Sequence, residues 1–215
     1  MAAPRRVDLD GLVAALAERD GPGRRIVAIA GPPGGGKSTV ADALVARLEA
    51  ARPGEAAVLP MDGYHYDDGV LRALGRHARK GAPDTFDVGG LRQMLARLKR
   101  DDEDEVAVPV FDRAIEIARA GARLIPRGVR TIVVEGNYVL LGRPPWAELR
   151  RFIDLAVLVT VDEDELRRRL TDRWRHYGLS PEAILAKVDG NDLPNGRVVM
   201  AESAEPDLLL HVAPV

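Results

Sequence analysis

The segment Gly31-Pro-Pro-Gly-Gly-Gly-Lys-Ser-Thr39 has the residue types and spacing of a phosphate-binding loop. Its glycines let consecutive backbone N–H groups converge on phosphate oxygens without side-chain clash. The helix that follows would point its positive end at the same anion. Lys37 can then reach β- and γ-phosphates, and the Ser38 hydroxyl can ligate Mg²⁺. Gly31, Gly34, Gly35, Gly36, Lys37, Ser38 and Thr39 are therefore the expected ATP-binding residues. The plainer alternative is a glycine-rich turn, but an apolar strand precedes the segment and a helical pattern follows, as the motif requires.

Such a loop serves kinases, GTPases and motors alike, so the discriminating residues lie elsewhere. In an open α/β sheet, ligands bind outside the carboxyl ends of the strands. Asp62 directly follows the run Ala56 to Pro60, and Glu135 ends the run Thr131 to Glu135, so both should face the loop. Asp62 could take the proton of an attacking hydroxyl or orient it. Glu135 could hold Mg²⁺, a metal-bound water or the acceptor. Either carboxylate could instead simply cap a turn.

Arg167, Arg168, Arg169, Arg173 and Arg175 share one basic helical pattern from Glu163 to Tyr177. Positions 169 and 173 fall on one helix face. A helix closing there would bring guanidinium groups to a migrating phosphoryl group; a solvated basic face is the alternative. A guanine-reading segment is missing: Ala186-Lys187-Val188-Asp189 lacks its first residue. His65, His77, His176 and His211 show no metal-ligand spacing, and Trp146 and Trp174 read as core or interface anchors.

These groups need a scaffold, and the sequence alternates short apolar runs with helical patterns, as in a parallel sheet wrapped by helices. Strands are expected at Arg25 to Ala30, Ala56 to Pro60, Val106 to Phe111, Thr131 to Glu135, Leu155 to Val161 and Leu208 to Val212. Helices are expected at Lys37 to about Ala51 and at Val88 to Arg100, the latter capped by Asp87. Leu9, Leu12, Val13 and Leu16 mark an amphipathic helix near the N-terminus. Ala114 to Gly128 reads as a hairpin beside the main sheet. Ser180-Pro181 starts a further helix after Gly178. Helix, glycine break and helix over about 163–190 would make a helical lid inserted in one domain spanning 1–215.

The chain has 215 residues, 46% of them hydrophobic, with 31 basic and 33 acidic side chains. That composition supports a packed core, and the near-balance of charge gives no reason to expect nucleic acid or an anionic membrane as partner. With no cysteine, thiolate chemistry and disulfides are excluded. Asp8, Asp10 and Glu18 interrupt any signal-like apolar run, no stretch reaches transmembrane length, and a cytoplasmic protein is expected.

In five segments the chain resembles the P-loop kinases of the uridine kinase, phosphoribulokinase and type I pantothenate kinase family. They are GPPGGGKST at Gly31, MDGYHYDD at Met61 with RKGAPDTFD at Arg79, PVFDR at Pro109, VVEGNYVLL at Val133 and NDLPNGRVV at Asn191. It is similar above all to a bacterial nucleoside/nucleotide kinase-like subgroup, some members of which are called fructokinases. The resemblance implies a three-layer α/β/α fold with a mainly parallel sheet. It also implies ATP and Mg²⁺ as cofactors, Asp62 as catalytic base with Lys37 and Arg173 beside it, and Tyr64 and Arg113 facing the acceptor. Asn191 and Asn195 would border the nucleotide or acceptor site. Phe111 and Arg113 stand where pantothenate kinase would have Tyr and His.

The expected activity is transfer of the γ-phosphoryl group of ATP to a hydroxyl of a small metabolite, a sugar or nucleoside before a pantothenate-like compound. Lys37 and Arg169 would hold phosphates, Ser38 and Glu135 the metal, and Asp62, Tyr64, Arg113, Glu135 and Asn195 the substrate. An ATP-binding regulatory switch is the alternative, and it needs no hydroxyl-activating base. The partner expected is a small hydroxyl compound, with a homodimer left open.

Overall fold

Residues 3–19, 21 and 23–212 are described in a computed structural model; the outermost residues of the expected 1–215 domain lie outside these. Six strands form one sheet: β1 (Arg5–Val7), β2 (Arg25–Ala30), β3 (Ala56–Pro60), β6 (Thr131–Glu135), β7 (Leu155–Thr160) and β8 (Leu208–His211). Their order is β1-β8-β7-β2-β6-β3, and every pairing is parallel. Apolar residues of alternate parity along each strand feed opposite faces, as the two-residue pleat dictates. Ile26, Ala28 and Ala30 join one core with Ile132, Val134, Ala156 and Leu158, whereas Val27 and Ile29 join the other with Val133, Leu155 and Val157.

Helices cover both faces, giving three layers. On one side α1 (Leu9–Ala17) and α2 (Lys37–Ala51) contribute Leu12, Leu16, Val40 and Leu44. On the other, α4 (Val88–Arg100) contributes Leu91, Leu95 and Leu98, and its first turn is capped by Asp87 accepting from the Gly90 N–H at 2.8 Å. A small third core joins α5 (Glu163–His176) and α6 (Pro181–Lys187) through Leu166, Leu170 and Ile184, with Val188 and Leu193 beyond them. No helix among the described residues is long and apolar enough to cross a membrane.

Several elements differ from the sequence expectation. Val106 to Phe111 is not a strand of the main sheet: β4 (Glu105–Asp112) pairs antiparallel with β5 (Ile117–Pro126) as a separate two-stranded sheet. The segment expected to be a hairpin by itself supplies only β5. β1 is too short to show a periodicity. Helix α3 (Asp68–Ala73) starts at the end of the kinase-like segment at Met61 and runs into the gap before the one at Arg79. After α6, a π-helical turn over Val188–Asp192 runs straight into α7 (Leu193–Glu202).

Candidate active site

The phosphate-binding loop is built by backbone. Gly34 and Gly36 take φ of 75° and 86°, left-handed values that a side chain would strain. Gly36 precedes α2 without a side-chain cap, so the first N–H groups of α2 have no such partner at the loop. Lys37 is 8% exposed and its ammonium donates to the Pro32 carbonyl at 2.9 Å, folding the side chain back over its own loop. Burial lowers its pKa to about 8, against the partial restoring pull of Glu135 and Asp62.

Beside it, the Ser38 hydroxyl donates to Glu135 Oε2 at 3.2 Å. Glu135, at the carboxyl end of β6, is held above the ordinary carboxylate range by burial first and by the nearby Asp62 charge second. Among the described residues no three His, Asp or Glu side chains gather into a metal site of their own. A hydroxyl and one carboxylate are nonetheless the hard-oxygen set that suits Mg²⁺ when phosphates and water complete the shell.

Asp62 faces the same cleft from the turn Met61–Tyr64 after β3. Its Oδ2 accepts from Arg113 Nη2 at 2.6 Å. That contact depends on hairpin placement: a Cβ on Gly63 would lie 2.5 Å from the Pro109 carbonyl oxygen, so only glycine lets β4 cross so close. The turn also decides which side chains enter the cleft. In a tight 3₁₀ turn positions three apart share a side. Asp62 and His65 face the cleft, while Met61 and Tyr64 enter the core.

Tyr64 is therefore a correction to the sequence expectation. Its ring is buried in the larger core, its hydroxyl has no hydrogen-bond partner, and burial raises its pKa. His65 takes the cleft-facing place expected of Tyr64, its ring lying tilted between Phe86 and Phe111 at centroid distances of 4.0 and 4.7 Å. Its Nδ1 donates to the Asp62 carbonyl at 2.8 Å, as a carbonyl can only accept, and burial lowers its pKa.

Of the five arginines of α5, only Arg173 lines the cleft. It makes no ion pair with a described carboxylate, and its pKa is lowered by burial and then by the facing Arg113. Arg169 sits at the rim, its Nη1 3.8 Å from where a Gly36 Cβ would be, and its Nε donates to Glu165 at 2.6 Å. Arg167 pairs with Asp189, Arg168 with Glu165 and Asp172, and Arg175 with Asp172.

Asn195 is buried at the cleft wall, its amide donating to Asn191 Oδ1 at 3.3 Å and to the Gly81 carbonyl at 3.4 Å. Asn191 in turn donates to the Lys80 carbonyl at 3.0 Å. Thr39 lines the cleft, whereas Gly31 and Gly35 shape the loop behind it. Sequence reasoning missed His65, Lys80 and Trp174 as lining residues. Lys80 donates to Asp68 Oδ1 at 2.8 Å and to the Glu116 carbonyl at 2.7 Å. Trp174 packs against the small α5–α6 core, as expected, and also lines the cleft, where its indole N–H donates to Asp192 at 2.6 Å. Trp146 is in the core as expected.

The family model described as an AAA domain matches residues 27–184. A Schizosaccharomyces pombe protein provisionally named a uridine kinase is 31% identical over 198 residues, covering 87% of this chain and 83% of its own. The uncharacterized protein YggC of Escherichia coli is 32% identical over 206 residues, covering 94% and 83%. A crystal structure from Silicibacter sp. TM1040, provisionally described as a fructose transport system kinase, superposes with a TM-score of 0.87 at 38% identity, covering 96% of this chain and all of that one. The cleft's phosphate loop, its two strand-end carboxylates and these relatives agree: the chain belongs to the P-loop kinase family that its motifs resemble.

Proposed function

We propose that the protein transfers the γ-phosphoryl group of ATP to a hydroxyl of a small metabolite. The observation that carries this is Asp62, a carboxylate outside the phosphate loop that faces the same cleft as Lys37, Ser38 and Glu135. A nucleotide switch has no use for such a group, whereas hydroxyl transfer needs one.

In the proposed reaction the acceptor oxygen bonds to the γ-phosphorus as the bond from that phosphorus to the β,γ-bridging oxygen breaks. The hydroxyl proton passes to Asp62, and ADP carries away the electron pair. The loop amides and Lys37 bind the phosphates, and Arg173 offsets charge on the moving group. Ser38 and Glu135 would hold Mg²⁺, which would supply further charge neutralisation for the phosphates. Arg113 steadies Asp62 and leaves its second oxygen for the acceptor. His65 holds the backbone carbonyl of Asp62 through Nδ1.

The test is ADP release across sugars, nucleosides, pantothenate and sugar phosphates. Stimulation by one acceptor class, lowered about 10²–10⁴-fold in Asp62→Ala, is expected. Slow hydrolysis that no acceptor stimulates would favour the switch instead.

A further inference from the structure

A second groove adjoins the catalytic cleft, with Lys80, Lys187 and Asn191 lining both. It has a volume of about 380 Å³ and runs between the His77–Arg79 turn and α6, floored by Ala183, Ala186 and Leu179. No carboxylate lines it, whereas His77, Lys80 and Lys187 do.

The charges there are not equivalent. Asp68, just behind the wall, pairs with Lys80 at 2.8 Å and with His77 at 3.2 Å. Lys187 makes no direct ion pair among the described residues: its ammonium lies over the Trp174 ring, 4.4 Å from the centroid, and Asp192, whose carboxylate takes the Trp174 indole N–H, feels its charge without contact. The junction is also built rather than incidental. Asn191 bonds the Lys80 carbonyl at 3.0 Å, and Arg79 donates to the Gly190 carbonyl at 2.6 Å, so the Arg79–Lys80 segment and the π-helical turn are tied together. π-helical turns recur at functional sites because they offset side chains from the α-helical phase. Here the turn begins immediately after Lys187, which stands where the two cavities meet.

We infer that this groove is an acceptor subsite, and that Lys187 there binds a carboxylate or phosphate at the end of the acceptor remote from the reacting hydroxyl. The inference rests on the kinase reading above and narrows it. The substrate class becomes an anionic hydroxyl compound, either a hydroxy acid or a sugar phosphate, in place of a neutral sugar or nucleoside. A cation already bound to carboxylate gains little from a new anion; one lying over an aromatic ring gains a charge-assisted hydrogen bond.

Matched pairs of acceptors test this: D-glycerate against glycerol, pantothenate against pantothenol, and D-fructose 6-phosphate against D-fructose. ADP release is measured for each with the wild type and with Lys187→Met, which keeps the apolar stem and removes the charge. At least one anionic member should exceed its neutral counterpart in kcat/KM. In Lys187→Met that preference should fall about 10-fold or more, chiefly through KM, as loss of one charged hydrogen bond implies. Inorganic phosphate should compete with that acceptor in the wild type and more weakly in the variant. Turnover of neutral members at least equal to their anionic partners would overturn the subsite and leave the kinase reading standing. An anionic preference untouched by Lys187→Met would overturn it equally. No turnover of any acceptor would bring down the kinase reading and the subsite with it.

Discussion

The two ends of the cleft are built by different means. The phosphate end is one continuous segment, Gly31 to Thr39, whose ligands are mainly backbone amides, with Glu135 brought alongside by the next strand in the sheet. The acceptor end is assembled from side chains of distant segments: Asp62 after β3, Arg113 at the hairpin tip, and Lys187 and Asn195 from the last third of the chain. Backbone presents the same groups whatever the side chains, so the first end can serve a whole family. The second end can be re-specified by single substitutions without disturbing the first.

If that division is real, damage at the acceptor end should spare nucleotide affinity while abolishing turnover. Asp62→Ala should lower kcat by about 10²–10⁴-fold, the usual span for a general base, with the Kd for ATP nearly unchanged. Near-normal turnover would remove Asp62 from its role, and a large rise in Kd would show that the two ends are not separable. Arg173 sits between them. Arg173→Ala should cost about 10²–10³-fold in kcat, the scale of one donor lost from a developing anion. A loss confined to acceptor KM would reassign it to the acceptor end.

The same division explains what was legible. Loop, strand and helix around Lys37 are local, and their spacing in the sequence carries them. Parallel strands read as apolar runs, so five of the six were visible, and three-residue β1 was not. The acceptor end was legible where a motif named a residue, as at Asp62 and Arg113, but not in its contacts. The pairing of Arg113 with Asp62 spans 51 positions and exists only because β4 left the main sheet for β5. Metal-ligand spacing says nothing of His65 and an aromatic in a helical pattern says only core or interface for Trp174, because a residue that lines a cleft by tertiary placement leaves no local pattern. The π-helical turn has no local signature, yet it sets where Lys187 and Asn191 stand.

A smaller effect probes the phosphate end alone. With its pKa lowered to about 8, the Lys37 ammonium of the free protein loses its proton as pH rises through that value. Bound phosphate favours the charged form, so ATP binding between about pH 8 and 10 should be coupled to proton uptake. Affinity should fall by up to about 10-fold per pH unit there if Lys37 supplies the contact. Calorimetric titration in buffers of different ionisation enthalpy reads the uptake directly. No uptake in that range would mean that Lys37 stays protonated in the free loop.

The smallest effect belongs to the residue that the motif and the fold assign differently. If Tyr64 faced the acceptor, Tyr64→Phe would remove a substrate contact and raise acceptor KM. In the core its hydroxyl is buried without a partner, and such a group costs free energy instead of supplying it. Tyr64→Phe should then leave kcat and KM within about 2-fold and hold or raise thermal stability, by up to about 1 kcal/mol. Stability falling together with a rise in KM would return the tyrosine to the acceptor end. Unaltered kinetics would leave His65, three residues after Asp62 on the same side of the turn, as the aromatic residue of this segment that faces the cleft.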